Sequence, residues 1–262
     1  MKLHTRRWGD EGTHSVICVH GVGQHGGIFE DLAQRLVGQG HSVLAVDLRG
    51  HGDSGREPPW DTATHVADVL ATLDSLGVEQ ASWVGHSFGG RLCAALAATA
   101  PERTRALAML DPGLEVSPAL ALRSAEIERL DWSFATVDGA INALLSSDTV
   151  VATPYEVVRA YAEDDLIQGP DGRYRFRFSP SAAVVAWSEV ALPAPPISSV
   201  PTLLLLATVS LARAGGRQEV YREALGDLLT EVVVPNGHNV LWESPGETIS
   251  AVEGFLSSLR FH

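Results

Sequence analysis

The chain has 262 residues, a formal net charge of −13, 45% hydrophobic and 19% charged residues, which suits one α/β domain with a sizeable core. The acidic balance argues against nucleic acid or an anionic membrane as partner, and no apolar run approaches the roughly 20 residues of a membrane span. Met1 to Arg7 lacks the apolar core of a signal peptide, so a cytoplasmic location is the expectation. The two cysteines, Cys18 and Cys93, fall on predicted core elements without metal or redox spacing, and neither a metal nor an organic cofactor is expected.

In chain order, the first strand-like run is Leu3 to Trp8. The second, Val16 to Val19, ends in His20-Gly21-Val22-Gly23, and a helical pattern follows from Phe29 to Val37. Backbone N–H groups just past such a strand can form one half of an oxyanion hole; the residue after a nucleophile forms the other half. The third run, Val43 to Val46, leads into Asp47-Leu-Arg-Gly-His51-Gly-Asp53-Ser54, and the helix Thr64 to Leu76 comes next. Ala81 to Val84 is short, apolar and partly β-branched, as a buried strand is. It runs into Gly85-His86-Ser87-Phe88-Gly89 and then into an Ala/Leu-rich helix, Arg91 to Ala100, stopped by Pro101.

The pattern Gly-x-Ser-x-Gly carries little weight alone, and its place between a strand and a helix gives it weight. So sharp a turn strains the serine backbone, and the flanking glycines let strand and helix pack closely around it. The turn exposes the hydroxyl and aims the helix N-terminus at any anion forming beside it. Ser87 is therefore read as a nucleophile, with the amides of Val22 and Phe88 as the oxyanion hole.

Ala106 to Leu110 is the next strand, with Asp111 directly after it and Glu115 four residues later. From Leu110 to the next strand, Thr202 to Ala207, lie about ninety residues, too many for a crossover. They hold helical patterns (Ala119 to Arg129, Asp138 to Leu145, Pro154 to Ala162, Ser181 to Val190), which predicts a mostly helical cap over residues 114–196. Within it, Arg173 to Phe178 alternates basic and aromatic residues, as a short edge strand would. Its aromatic face could wall a pocket, and an arginine could meet an acidic substrate. After Ala207 no carboxylate occurs until Glu219, in the helix Gln218 to Leu225. The last strand, Glu231 to Val234, is followed by Pro-Asn236-Gly237-His238-Asn239, by the helix Gly246 to Leu259, and by His262 at the end. Such alternation predicts a mostly parallel, doubly wound sheet of about seven to eight strands. The core is residues 1–113 and 197–262, and the strand C-termini share one edge, where ligands bind.

The His-Gly-x-Gly loop at 20–23, the loop at 47–54 and the Gly-His-Ser-x-Gly-Gly elbow at 85–90, in this order and spacing, resemble the α/β-hydrolase superfamily. The likeness is to its esterase, lactonase and dehalogenase-like branch and covers essentially the whole chain. It implies that the 47–54 loop braces the strands, so that His51 is structural. It also implies a general base on the loop after the last strand, where His238 is the only histidine. In the commonest version of the family the triad acid follows the penultimate strand, and Thr208 to Arg217 has no carboxylate. The family's second placement points to Asp111, with Glu115 in reserve.

The resemblance thus implies a serine hydrolase with the triad Ser87, Asp111 and His238. Its small-molecule substrate is expected to be an ester or lactone with a bulky apolar or aromatic body, on the strength of Trp132, Tyr155, Tyr161 and Trp187 in the cap. Families with an aspartate nucleophile are disfavoured by Ser87. A C–C bond hydrolase, a perhydrolase and a non-catalytic binding relative stay open, as do a substrate contact from Gln24 or His25 and a homo-oligomeric state.

Overall fold

The computed structural model describes residues 1–10, 15–146, 152–211 and 217–259; His262 lies outside them. The first half runs β1 (Thr5–Trp8), β2 (Ser15–Val19), α1 (Glu30–Val37), β3 (Ser42–Val46), α2 (Thr62–Ser75), β4 (Ala81–His86), α3 (Phe88–Thr99) and β5 (Thr104–Leu110). An insertion follows: α4 (Pro118–Glu128), β6 (Ser133–Phe134), α5 (Val137–Leu145), α6 (Tyr155–Asp165), β7 (Leu166–Gln168), β8 (Tyr174–Phe176) and α7 (Pro180–Val190). The chain then returns through β9 (Thr202–Ala207), α8 (Thr208–Leu211), α9 (Arg217–Leu225), β10 (Leu229–Val234), α10 (Val240–Glu243) and α11 (Pro245–Ser258).

Seven strands form the main sheet in the order β1-β3-β2-β4-β5-β9-β10. All neighbours are parallel except β1, which runs antiparallel to β3. The central strands are mostly apolar because both faces are covered. Ile17, Val19, Trp83, Leu107, Met109 and Leu204 pack on α2 and α3, through Val69, Leu73, Leu92 and Leu96. Val16, Cys18, Val84, Ala106, Ala108 and Leu203 pack on α1 and α11, through Leu32, Leu36, Val252 and Phe255. Cys18 and Cys93 are both buried and free. The chain winds from β2 to β3 in one direction and from β3 to β4 in the other. The crevice beyond the C-termini of β2 and β4 is therefore the switch point of the sheet.

The four helices expected in the insertion are present, started by side-chain caps where the sequence offers them. Ser117, Thr136 and Ser179 accept from Leu120, Gly139 and Ala182, and Pro118 and Pro180 occupy first-turn positions that need no N–H. The insertion also has a three-stranded antiparallel sheet, β6-β8-β7. Here the edge-strand expectation fails: β8 is the central strand. Phe176 is buried in the insertion's own core with Ile141, Val158 and Ala162. Arg173 donates to Ser133, Arg175 pairs with Asp171, and Arg177 pairs with Asp53 across the loop after β3. The stretch after α7 is held to α3 by Arg91, which donates to the carbonyls of Leu192 and Pro193. Among the described residues, no helix is long and apolar enough to cross a membrane.

Candidate active site

Ser87 occupies the N-cap of α3, a place where a serine ordinarily accepts from the first-turn amides. It caps nothing. Its backbone takes φ 55°, ψ −119°, and no side-chain cap bond forms. The turn is held instead by backbone bonds from Ser87 to Leu110 and from Gly90 and Gly113 to Ser87. Close packing permits this only with glycine beside it. A Cβ on Gly89 would lie 2.0 Å from the Val19 carbonyl oxygen, and one on Gly85 would lie 2.4 Å from that of Gly89.

The freed hydroxyl lies 2.8 Å from Nε2 of His238, in the loop after β10. On the other side of the ring, Nδ1 is 2.5 Å from Oδ2 of Asp111, which directly follows β5. Asp111 is buried and itself takes a positive φ of 45°. Burial pushes its carboxyl up, but the bond and charge of His238, the Ser210 hydroxyl and the Ala207 amide outweigh this and lower it. Ala207 N–H donates to Oδ1 at 3.0 Å and Ser210 O–H to Oδ2 at 2.6 Å. Asp111 thus leans across the end of β9, the very strand whose own loop has no carboxylate. Glu115 is placed elsewhere, ion-paired with Arg217 and accepting from the Ala194 amide.

The Phe88 amide is the first of α3, one of the four that a helix leaves without an internal partner. Val22 lies in a turn closed by Gln24 N–H donating to Gly21 O, with Gly23 at φ +70°. Gly21 packs against Ser87: a Cβ there would sit 2.9 Å from that of Ser87.

Behind Ser87, His238 and Asp111, Gln24 Oε1 accepts from the Gly21 amide at 3.0 Å and sits 3.0 Å from Nδ1 of His86. Its amide nitrogen donates to Asn239, and Nε2 of His86 donates to the His238 carbonyl at 2.9 Å. Gln24 therefore ties the loop after β2 to the histidine loop. Burial, with the nearby charge of His238, lowers His86 to about 3. His25 is buried as well. Its Nδ1 accepts from Gly27 N–H, and its ring stacks on Tyr161. Glu243 holds the histidine loop from behind by accepting from the Gly237 amide at 2.6 Å.

His51 Nδ1 meets the Arg49 carbonyl, and its ring stacks on Phe178. Asp47, in the same loop, accepts from the amides of Gly26 and Asp53 and from His4. Among the described residues, one group, His4, Asp47 and Asp53, brings three possible metal ligands within 4.8 Å; these bonds already occupy Asp47. The supporting residues Ser210, His86, Glu243 and Tyr161 escape a reading of the sequence as site residues. Each acts through a partner more than sixty positions away or through a loop whose path only the fold supplies. Two carried a signal: His86 by its place inside the elbow motif, and Tyr161 as one of the aromatic residues of the cap, though not as a partner of the loop after β2.

Comparison with known proteins bears on the family and the fold. A family model described as alpha/beta hydrolase fold matches residues 14–245. The chain is similar to Lipase LipV of Mycobacterium tuberculosis, at 35% identity over 219 residues, covering 81% of each chain. It is similar to Esterase YbfF of Escherichia coli at 27% identity over 278 residues, covering 98% of this chain and 100% of that one. Among solved structures, E-2-(acetamidomethylene)succinate hydrolase superposes with a TM-score of 0.84 at 24% identity, covering 98% and 95% of the two chains, a likeness of fold.

Proposed function

The chain belongs to the α/β-hydrolase family, and on that premise we propose that it is a serine hydrolase cleaving a carboxylic ester or lactone through an acyl-enzyme on Ser87. The observation that carries the proposal is the unbroken relay from Ser87 Oγ through His238 to Asp111, at 2.8 and 2.5 Å. A serine hydroxyl is a poor nucleophile until a base takes its proton. His238 Nε2 accepts that proton as Oγ attacks the ester carbon. Asp111 holds the ring in the tautomer with Nδ1–H and steadies the imidazolium. The carbonyl oxygen becomes an oxyanion between the amides of Val22 and Phe88, donors worth on the order of 3–4 kcal/mol each in such sites. His238 then gives its proton to the leaving alkoxide oxygen, and water, activated by the same nitrogen, releases the acid from Ser87.

The names of the lipase and esterase relatives favour an ester over other bonds. In this reading residues 114–196 act as a cap over the site and shape the pocket. The arginines of β8 and its flanks are committed to Ser133, Asp171 and Asp53, which favours an uncharged substrate body over an acidic one. The test is hydrolysis of aryl esters and lactones with acyl groups from acetyl to bulky aromatic. Ser87→Ala is expected to cut turnover at least about a thousandfold while melting as the parent does. Comparable turnover in that variant would refute the proposal.

A further inference from the structure

The phenol of Tyr161 reaches from α6 to the turn that carries Val22. Its hydroxyl lies 3.0 Å from the Gly23 carbonyl oxygen and 3.4 Å from Oδ2 of Asp165, one turn further along the same helix. Its ring stacks on His25 at 5.2 Å and leans on Trp242 at 4.8 Å. Trp242 belongs to α10, which begins directly after the His238 loop. One side chain of the insertion therefore touches the loop after β2 and the helix that follows the histidine loop.

A phenol has one proton to donate, and two acceptors face it. We propose that Tyr161 is a positioning residue for the Val22 oxyanion donor, bracing its turn through Gly23, and that Asp165 competes with Gly23 for the same proton as pH changes. The proposal rests on the serine-hydrolase reading above.

Asp165 is 1% exposed. Arg177, just past β8, brings Nε to 3.4 Å from Oδ1, and His25, from the loop after β2, brings Nε2 to 3.8 Å. Neither approach has hydrogen-bond geometry, so Asp165 Oδ1, Arg177 Nε and His25 Nε2 are all buried without a bond. Arg177 is also shared with Asp53 and Asp164, and Asp164 meets Arg6 and His25. Burial thus outweighs Arg177 and pushes the Asp165 carboxyl up to about 7. Burial, aided by Arg6, lowers His25 to about 4, so the imidazole facing Asp165 is neutral across the working range.

A protonated Asp165 donates to the Tyr161 oxygen, and the phenol proton goes to Gly23. An ionised Asp165 is the stronger acceptor, because charge-assisted bonds are roughly twice as strong as neutral ones. It draws the phenol proton away, and the Gly23 carbonyl loses its donor. The oxyanion turn is braced below the Asp165 ionisation and loosened above it.

The experiment measures kcat and KM for one aryl ester from pH 5.5 to 9, in the parent, Ser87→Ala, Tyr161→Phe and Asp165→Asn. The parent is expected to lose about fivefold in kcat, the worth of one hydrogen bond, through a midpoint near pH 7, with KM within about twofold. Tyr161→Phe should show the lower kcat at every pH, and Asp165→Asn should keep the higher kcat with no alkaline fall. A flat alkaline profile in the parent, or a parent-like profile in both variants, overturns the inference while Ser87-dependent turnover leaves the hydrolase reading standing. Turnover that survives Ser87→Ala overturns both. If Tyr161→Phe does not fold, Asp165→Asn decides alone. If no ester is turned over, the same profile is read on the rate at which a phosphonate modifies Ser87.

Discussion

Asp111 is the residue whose role depends most on its surroundings. It follows β5, yet its carboxylate is fixed by the Ala207 amide and the Ser210 hydroxyl at the end of β9. Asp111→Asn removes the acceptor that holds Nδ1–H toward it, so kcat should fall on the order of 10³–10⁴-fold. Ser210→Ala deletes one donor to the charged carboxylate and should cost less, roughly 10- to 150-fold. Steady-state kinetics of the two variants checks the ranking, and a larger loss in Ser210→Ala than in Asp111→Asn would reassign the acid. At this scale Ser87 was singled out by the Gly-x-Ser-x-Gly turn, and Asp111 and His238 by the family resemblance applied to the loops after β5 and β10; the structure brings the three side chains together. Ser210 was not singled out: nothing local distinguishes it, and its partner is 99 positions away.

The elements were readable where burial on both faces left apolar runs, as in β2, β3, β4, β5 and β9; the edge strands β1 and β10 are only partly buried, and β10 showed through its run of valines. β6 and β7, of two and three residues, are too short to show a period. For the same reason β8 looked like an edge although it lies between them. The packing of β4 against α3 gives a prediction at this scale. Gly89→Ala would drive a Cβ to 2.0 Å from the Val19 backbone oxygen, which cannot move aside as a flexible side chain could. A destabilisation of about 3 kcal/mol or more is expected, a fall of roughly 6–12 °C in Tm for a domain of this size. Gly246→Ala, in α11 with open space around it, should melt at or slightly above the parent. Thermal unfolding of both checks it; equal melting of the two variants would contradict the packing account.

Over the whole molecule, the buried histidines dominate the pH dependence of stability. Burial lowers His20, His25, His51, His65 and His86, with His65 at about 4 and His86 at about 3. The unfolded chain binds these five protons near pH 6.5, and the folded chain binds them only at lower pH. Their contribution is therefore intact above pH 6.5 and is lost as pH falls toward 4. Asp165 and Glu128 have the opposite sign, since a carboxyl raised by burial favours the folded state as pH falls, but they are two groups against five. Melting temperature should drop steeply between pH 6.5 and 4, and a flat profile there would mean that these rings are not buried neutral.

Every catalytic step proposed above depends on Ser87 acting as a nucleophile. The most direct test of that role is the intact mass of the protein after reaction with an aryl phosphonate, followed by peptide mapping. One covalent adduct at Ser87, absent in Ser87→Ala and formed far more slowly in His238→Ala, is the predicted result. An unmodified Ser87 in folded protein, or an equal rate of modification without His238, would contradict the account.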